Sequence, residues 1–335
     1  MPLPLIVGIA IAIGSALFGA KKGYDAYCDN EKANDLNSQA QRVFDAAKRD
    51  LSSARESTSG TLADLGKTKL ILWDNPMNRF LDLYGQIRNV QLTGEPLVEG
   101  LERTNITKEE LLAMKDLSLK AHEVVIGGLS ALGTGALVGV GSYGGAMMFA
   151  AASTGTAIST LSGIAATNAT LAWFGGGSLA AGGLGMAGGM AVLGGLVAGP
   201  VLAVGGLVLA AKARENLAYA RSNLAEARKA AGEMNNATSI LNSIRSVARS
   251  FQGIINQVHS RMDKVLNELE QVIQIGGTDY RHYSEKQKHM VYLAVQFAQV
   301  MKILLETPIL TKSGGLDPKH SKALAAGREL LGSTQ

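Results

Sequence analysis

The stretch VVIGGLSALGTGALVGVGSYGGAMMFA, residues 124–150, opens the part of the chain that decides its fold. It begins an uncharged block, residues 124–211. None of these 88 residues is Asp, Glu, Lys, Arg or His, and the block holds 23 of the 40 glycines. A helix needs only about 20 apolar residues to cross a bilayer. We therefore expect this block to form an apolar helical hairpin in or against a membrane.

The block contains two runs that are long enough to cross a bilayer, residues 124–150 and residues 179–211. Residues 153–172 between them are rich in Ser and Thr. Eight hydroxyls of the block could supply a weakly polar face or bond back to their own helix: Ser130, Thr134, Ser142, Ser153, Thr154, Thr156, Ser159 and Thr160. Trp173 and Phe174 follow. Aromatic residues of this kind lie at a bilayer interface or pack inside a helical bundle, and both interpretations stay open.

The glycines of the block are spaced for close helix packing. Small residues four positions apart share one helix face and let two backbones approach each other in lipid. In water each glycine would cost a helix interior about 0.8–1 kcal/mol relative to alanine, so burial must compensate. The residues predicted to pack the membrane helices are Gly135, Gly139, Gly141, Gly145, Gly185, Gly189, Gly195 and Gly199.

A second apolar segment, residues 2–20, is followed at once by Lys21 and Lys22. Its length favours a transmembrane helix, with a cleaved signal peptide or a buried or interfacial helix as alternatives. Lys212 and Arg214 follow the uncharged block. The positive-inside rule then places the N-terminus outside and both flanking arms in the cytoplasm of a bacterial inner membrane. If residues 153–178 cross as well, the arms lie on opposite sides.

The arms on either side of the block show helical periodicity. Along residues 212–275 apolar residues recur by threes and fours for about eight heptads, which is typical of a coiled coil or a long bundle helix. Such a helix would be roughly 95 Å long and needs a partner, for which residues 35–65 are the natural candidate and self-association the alternative. We expect Pro76 to interrupt the first arm and Gly276 to end the long helix.

These patterns predict an all-α fold. Thr107 and Glu110 fit a capping box that opens a helix, and residues 284–306 form the last amphipathic helix, before a polar tail. The predicted domains are an apolar transmembrane helix at residues 1–20, a helical arm at 21–123 and a glycine-rich membrane hairpin at 124–211. A long coiled-coil helix at 212–275 and a C-terminal helix with its tail at 276–335 follow.

Composition and motifs argue against several functions. The net charge is only +4, and no basic and aromatic cluster points to nucleic acid. Cys28 is the only cysteine, which excludes a disulfide scaffold. Residues 139–144 and 183–188 match G-x-G-x-x-G without the acidic residue that a nucleotide site requires, and residues 60–68 have the wrong spacing for a phosphate loop. We expect no enzyme, no cofactor, no metal and no small-molecule substrate.

Residues 165–211, AATNATLAWFGGGSLAAGGLGMAGGMAVLGGLVAGPVLAVGGLVLAA, resemble a family of uncharacterised bacterial glycine-zipper membrane proteins that are often labelled chemotaxis proteins. The ending LLETPIL, residues 304–310, resembles the same family. In layout, long helices around an apolar hairpin are similar to the α-helical pore-forming toxins of the cytolysin A and haemolysin BL type, an analogy of architecture alone.

Two functions remain open. The first is a membrane-embedded protein whose glycine-zipper hairpin packs in the bilayer and whose coiled-coil arms bind a helical partner or form a homo-oligomer. The alternative is a pore-forming toxin or cell-suicide effector of phage defence, soluble at first, that inserts residues 124–211 on a trigger to permeabilise the membrane.

Overall fold

The protein is described by a computed structural model that covers residues 16–93, 96–98, 106–129, 134–144, 217–311 and 315–334. Side chains are described from residue 31 onward and, in the helix that begins at residue 134, from residue 137. Within these ranges the chain is helical and forms no strand, which confirms the predicted all-α class.

The described residues form seven α-helices: α1 Ala16–Leu72, α2 Asn78–Gln86, α3 Lys108–Ile126, α4 Thr134–Tyr143, α5 Leu217–Gly276, α6 Glu285–Glu306 and α7 Lys319–Ser333. A π-helical turn, Trp73–Met77, joins α1 to α2, and a 3-10 turn, Tyr280–His282, precedes α6. The chain divides into two compact units, the first made of Met1–Leu51 with Gly199–Asn236 and the second of Ser52–Ala198 with Ala237–Gln335.

In the first unit, α1 and α5 pack side by side and run in the same direction. Asn223 donates a hydrogen bond of 3.1 Å from Nδ2 to Oδ1 of Asn37, and Arg228 donates one of 3.5 Å to Gln39 Oε1. Small side chains dominate the buried seam between the helices. Its buried residues are Ala40, Phe44, Ala47, Leu51, Ala220, Leu224, Ala227, Ala230, Ala231 and Met234.

In the second unit α1 again packs against α5, and so does α2. The buried Thr58 hydroxyl of α1 donates to the Leu241 carbonyl of α5 at 3.1 Å, and Arg79 Nη2 of α2 lies 2.6 Å from Glu270 Oε2 of α5. The α5 pattern therefore has α1 as its partner, the helix that the sequence analysis named. A large apolar core surrounds this pair, and α6 contributes the fully buried Val291, among others, to it.

The chain passes through Pro76 without the interruption that the sequence analysis expected. Proline lacks the N–H that the carbonyl four residues earlier would accept, and the helix widens into a π turn instead of ending. The buried Ser118 of α3 donates from Oγ to the Trp73 carbonyl at 2.9 Å. The π turn is thus bonded to α3 through the carbonyl of its first residue.

Ser118→Ala is expected to destabilise the second unit by about 1–3 kcal/mol, because the buried Trp73 carbonyl loses the hydroxyl that α3 donates. Urea unfolding followed by circular dichroism measures the change. Ser243→Ala is the control, since this exposed hydroxyl only bonds back to the Ser239 carbonyl of its own helix. Equal effects of the two substitutions would contradict the role given to Ser118.

Helix ends mostly agree with the sequence. Thr107 caps α3 in a capping box with Glu110, α5 ends at Gly276, and Ser284 caps α6. The exception is the tail predicted after α6, which contains the helix α7. Its buried residues are Ala323, Leu324, Ala326, Gly327, Leu330 and Leu331.

The first predicted membrane run, residues 124–150, is not one continuous helix. Its start belongs to α3, which ends at Ile126, and α4 begins at Thr134. Gly128 between them has a φ of +89°, a left-handed conformation that glycine adopts without strain.

At the N-terminal end, α1 runs from Ala16 through Lys21 and Lys22 with no break at residue 20. Residues 1–15 lie outside the described part, so the transmembrane helix predicted there is not described. Among the helices that are described, none has both the length and the apolar character that a bilayer crossing requires.

Candidate functional site: the α4 junction

The start of the uncharged block is packed against α1. A Cβ atom added to Gly66 of α1 would overlap the Leu137 carbonyl oxygen of α4, and one added to Gly141 would overlap the Leu62 carbonyl oxygen. The two backbones are therefore in direct contact, with α4 antiparallel to α1. Only glycine permits two backbones to approach this closely.

The C-terminal end of α4 is held by the chain that follows α6. The backbone N–H groups of Ile309 and Leu310 both donate to the Ser142 carbonyl, at 2.7 and 3.1 Å. Tyr143 donates from its phenol to the Thr311 carbonyl at 3.3 Å, and burial raises the pKa of that phenol to about 12. We call these contacts, together with those of Gly66 and Gly141, the α4 junction.

Gly144 completes the junction. Its φ of +57° is left-handed, and a Cβ atom there would lie 2.6 Å from the Glu306 carbonyl oxygen. Burial raises the pKa of the Glu306 carboxyl. The Lys302 ammonium, 3.1 Å away, opposes this rise, and the charge of Glu110 adds to it. Backbone conformation and lack of space both require glycine at this point.

Lys69 is 1% exposed and contacts the segment that follows α6. Its Nζ donates to the Thr307 carbonyl at 3.1 Å and lies 5.4 Å from the centroid of the Phe251 ring. Thr307 is the C-cap of α6, where the helix dipole favours a cation. No carboxylate among the described residues forms an ion pair with Lys69, and burial lowers its pKa to about 7.

Lys69 thus supports the segment that holds α4. Its Nζ donates to Thr307, and the next residues of that segment, Ile309 and Leu310, hold Ser142. Burial of a cation without a carboxylate partner is costly, which is the reason that the pKa of Lys69 is lowered.

One polar group of the junction is unmatched. The Ser142 side chain is fully buried, and its Oγ has no hydrogen-bond partner among the described residues. The sequence left open whether such hydroxyls form a polar face or bond back to their own helix. Within the described residues, the Ser142 hydroxyl bonds neither to its own helix nor to another.

The structure describes five of the predicted site residues: Gly135, Gly139 and Gly141 lie in α4, the last two buried, and Lys21 and Lys22 lie in α1. It brings Gly141 to the junction. The others fall outside the described residues: Gly145, Gly185, Gly189, Gly195, Gly199, Trp173, Phe174, Lys212 and Arg214.

Lys69 and Gly66 were not among the predicted site residues, although Lys69 carried a signal. Lys69 continues the buried spacing of Leu62 and Leu65 by four residues, so a charge stands where the pattern requires an apolar side chain.

The glycine motifs do not form ligand loops in this part of the structure. Gly139 and Gly141 lie inside α4, and residues 60–68 lie inside α1. In the described ranges, His, Cys, Asp and Glu form no group suited to a metal ion.

Comparison of the chain with protein-family models, with curated proteins and with solved structures finds no match. The resemblances stated for residues 165–211 and 304–310 therefore stay expectations, and function has to be argued from the α4 junction itself.

Proposed function

We propose that this chain is a helical membrane-active protein that keeps the start of its uncharged block packed on its own helical body and inserts the block into a bilayer on a trigger. The observation that carries the proposal is the docking of α4. Residues of the block are buried against α1 and the segment after α6, so they are stored by protein contacts in this conformation.

The composition of the block supports a bilayer as its destination. Its 88 residues carry no charge, and small residues spaced by four suit helix packing in lipid. The break between α3 and α4 means that residues 124–150 have to rearrange before they can cross as one helix. Stored packing followed by rearrangement is the expected property of a triggered pore former.

The arms supply the assembly platform in this proposal. The parallel packing of α1 and α5 in each unit supports a coiled-coil stalk, and chains joined through such stalks would place several apolar blocks together. The proposed partners are a bilayer and further copies of the chain.

Permanent membrane residence is a second candidate, favoured by one observation. Residues 16–20, the end of the apolar run of residues 2–20, lie in α1, which continues past them without a break, as a membrane anchor leading into a stalk would. In this case the arms are cytoplasmic and the chain stays in the bacterial inner membrane.

Vesicle leakage tests the triggered function. The full chain, added to dye-loaded vesicles of bacterial phospholipid, is expected to release the dye, while a chain that lacks residues 145–211 but keeps α4 is expected to release none. Leakage that survives the deletion would rule out the block as the inserting element.

Fractionation separates the two candidates. Protein that stays in membranes through an alkaline carbonate wash supports permanent residence, and protein recovered outside the membrane that then causes leakage supports triggered insertion.

A further inference from the structure

Helix α3 carries an apolar stripe on its outer face. Leu112, Leu119 and Ile126 are spaced by seven residues, so they lie in line along one side of the helix. They are 60%, 50% and 69% exposed. The opposite side of α3, where Met114, Leu117, Ser118, Ala121 and Val124 are buried, packs on the second unit. No described residue covers the stripe.

The charges beside this stripe are arranged symmetrically about its centre. Lys115 lies four residues before Leu119, and Glu123 lies four residues after it. Both side chains are exposed, and neither forms an ion pair with a described residue. In two antiparallel helices that cross at Leu119, each Lys115 faces the Glu123 of the other helix, and each Leu112 faces Ile126.

We propose that the outer face of α3 is a two-fold docking surface for a second copy of this chain. A two-fold interface uses the same patch on both subunits, and this stripe is complementary to itself in both apolar contact and charge. The inference deepens the assembly part of the proposed function, on which it rests.

The same charges argue against a bilayer as the occupant. A helix that lies on an anionic membrane has a polar face rich in Lys and Arg. Here the stripe is bordered by Lys115, Asp116, His122 and Glu123, of which His122 is held by Asp74 at 2.6 Å and Asp116 by Lys120 at 2.9 Å. Acidic groups on both sides favour a protein surface of matching pattern.

Cysteine crosslinking of the full chain tests the geometry, in a background where the single cysteine is removed by Cys28→Ser. Leu119→Cys is expected to give a disulfide-linked dimer under mild oxidation, because the two-fold axis places residue 119 against its own copy. Leu112→Cys is the matched control and is expected to give none alone, but a dimer when mixed with Ile126→Cys chains.

Exchanging the charges of Lys115 and Glu123 distinguishes loss of the interface from misfolding. Lys115→Glu and Glu123→Lys are each expected to abolish the Leu119→Cys dimer, since like charges then face each other, and the double exchange is expected to restore it. Circular dichroism shows that each variant is folded.

Each result decides the inference. A dimer through residue 119 with rescue by the double exchange supports it. A dimer of Leu112→Cys chains alone would indicate a parallel pair and would overturn the inference. Absence of any dimer would overturn it as well, and reduced vesicle binding by Leu119→Glu would then assign the stripe to lipid. Vesicle leakage with no dimer would leave membrane insertion standing, so the two proposals fail separately.

Discussion

Gly66→Ala is expected to separate α4 from α1 and to destabilise the second unit by about 2–3 kcal/mol. The added methyl group would meet the Leu137 carbonyl of α4, and two packed backbones cannot yield as a flexible side chain can. Hydrogen exchange of the amides in α4 measures the separation, and thermal unfolding measures the loss of stability.

Gly60→Ala is the matched control for this prediction. Gly60 lies in the same helix, six residues earlier, is exposed, and has no atom within 4 Å of its Cβ position. Alanine there should stabilise the helix by about 0.5–1 kcal/mol. If the α4 amides exchange as slowly in Gly66→Ala as in Gly60→Ala, the contact between the two backbones does not hold the junction.

The second large effect is a pH dependence caused by Lys69. Burial lowers its pKa from 10.5 to about 7, so the unfolded chain binds this proton more tightly than the folded one. Stability therefore rises with pH between about 7 and 10.5 and is lost as the pH falls through that window. Since one pKa unit corresponds to about 1.4 kcal/mol, the full change is about 5 kcal/mol.

Urea unfolding between pH 7 and pH 9.5 measures this effect. Lys69→Met should remove the contribution of this proton and flatten the profile relative to the unmodified chain. Lys67→Met changes an exposed lysine two positions away in the same helix and should keep the slope. A Lys69→Met profile as steep as the original would show that Lys69 does not cause the dependence.

Much of the helical scaffold could be read from the sequence, because its signals are local. The Thr107 capping box and the Gly276 end depend on a few neighbouring residues, and the heptad pattern of α5 showed that it needed a partner. The outcome at Pro76 was different, because a proline can end a helix or be accommodated in a wider turn. Here the chain forms a π turn whose Trp73 carbonyl accepts from Ser118 on α3, and a local pattern cannot show that contact.

The sequence predicted only part of the α4 junction. The four-residue spacing of Gly135 with Gly139 and of Gly141 with Gly145 predicted close helix packing. A glycine face that suits lipid also suits the backbone of a neighbouring helix, and the sequence does not distinguish the two. Gly66 is an isolated glycine in α1 and becomes meaningful only once α4 lies beside it. The contact between Lys69 and Thr307 joins residues 238 positions apart, far beyond any periodic pattern.

The parallel pairing of α1 with α5 has a consequence for synthesis on the ribosome. Thr58 of α1 meets a residue of α5 183 positions later, and Arg79 of the following helix α2 meets one 191 positions later. At 5–20 residues per second, roughly 10–40 s separate the emergence of such partners. In the last part of this interval the uncharged block has left the ribosome while most of α5 is still unmade. Nascent chains should therefore depend on a chaperone or on a nearby membrane, and ribosome profiling of chaperone-bound chains would show occupancy that begins within the block and ends as α5 emerges.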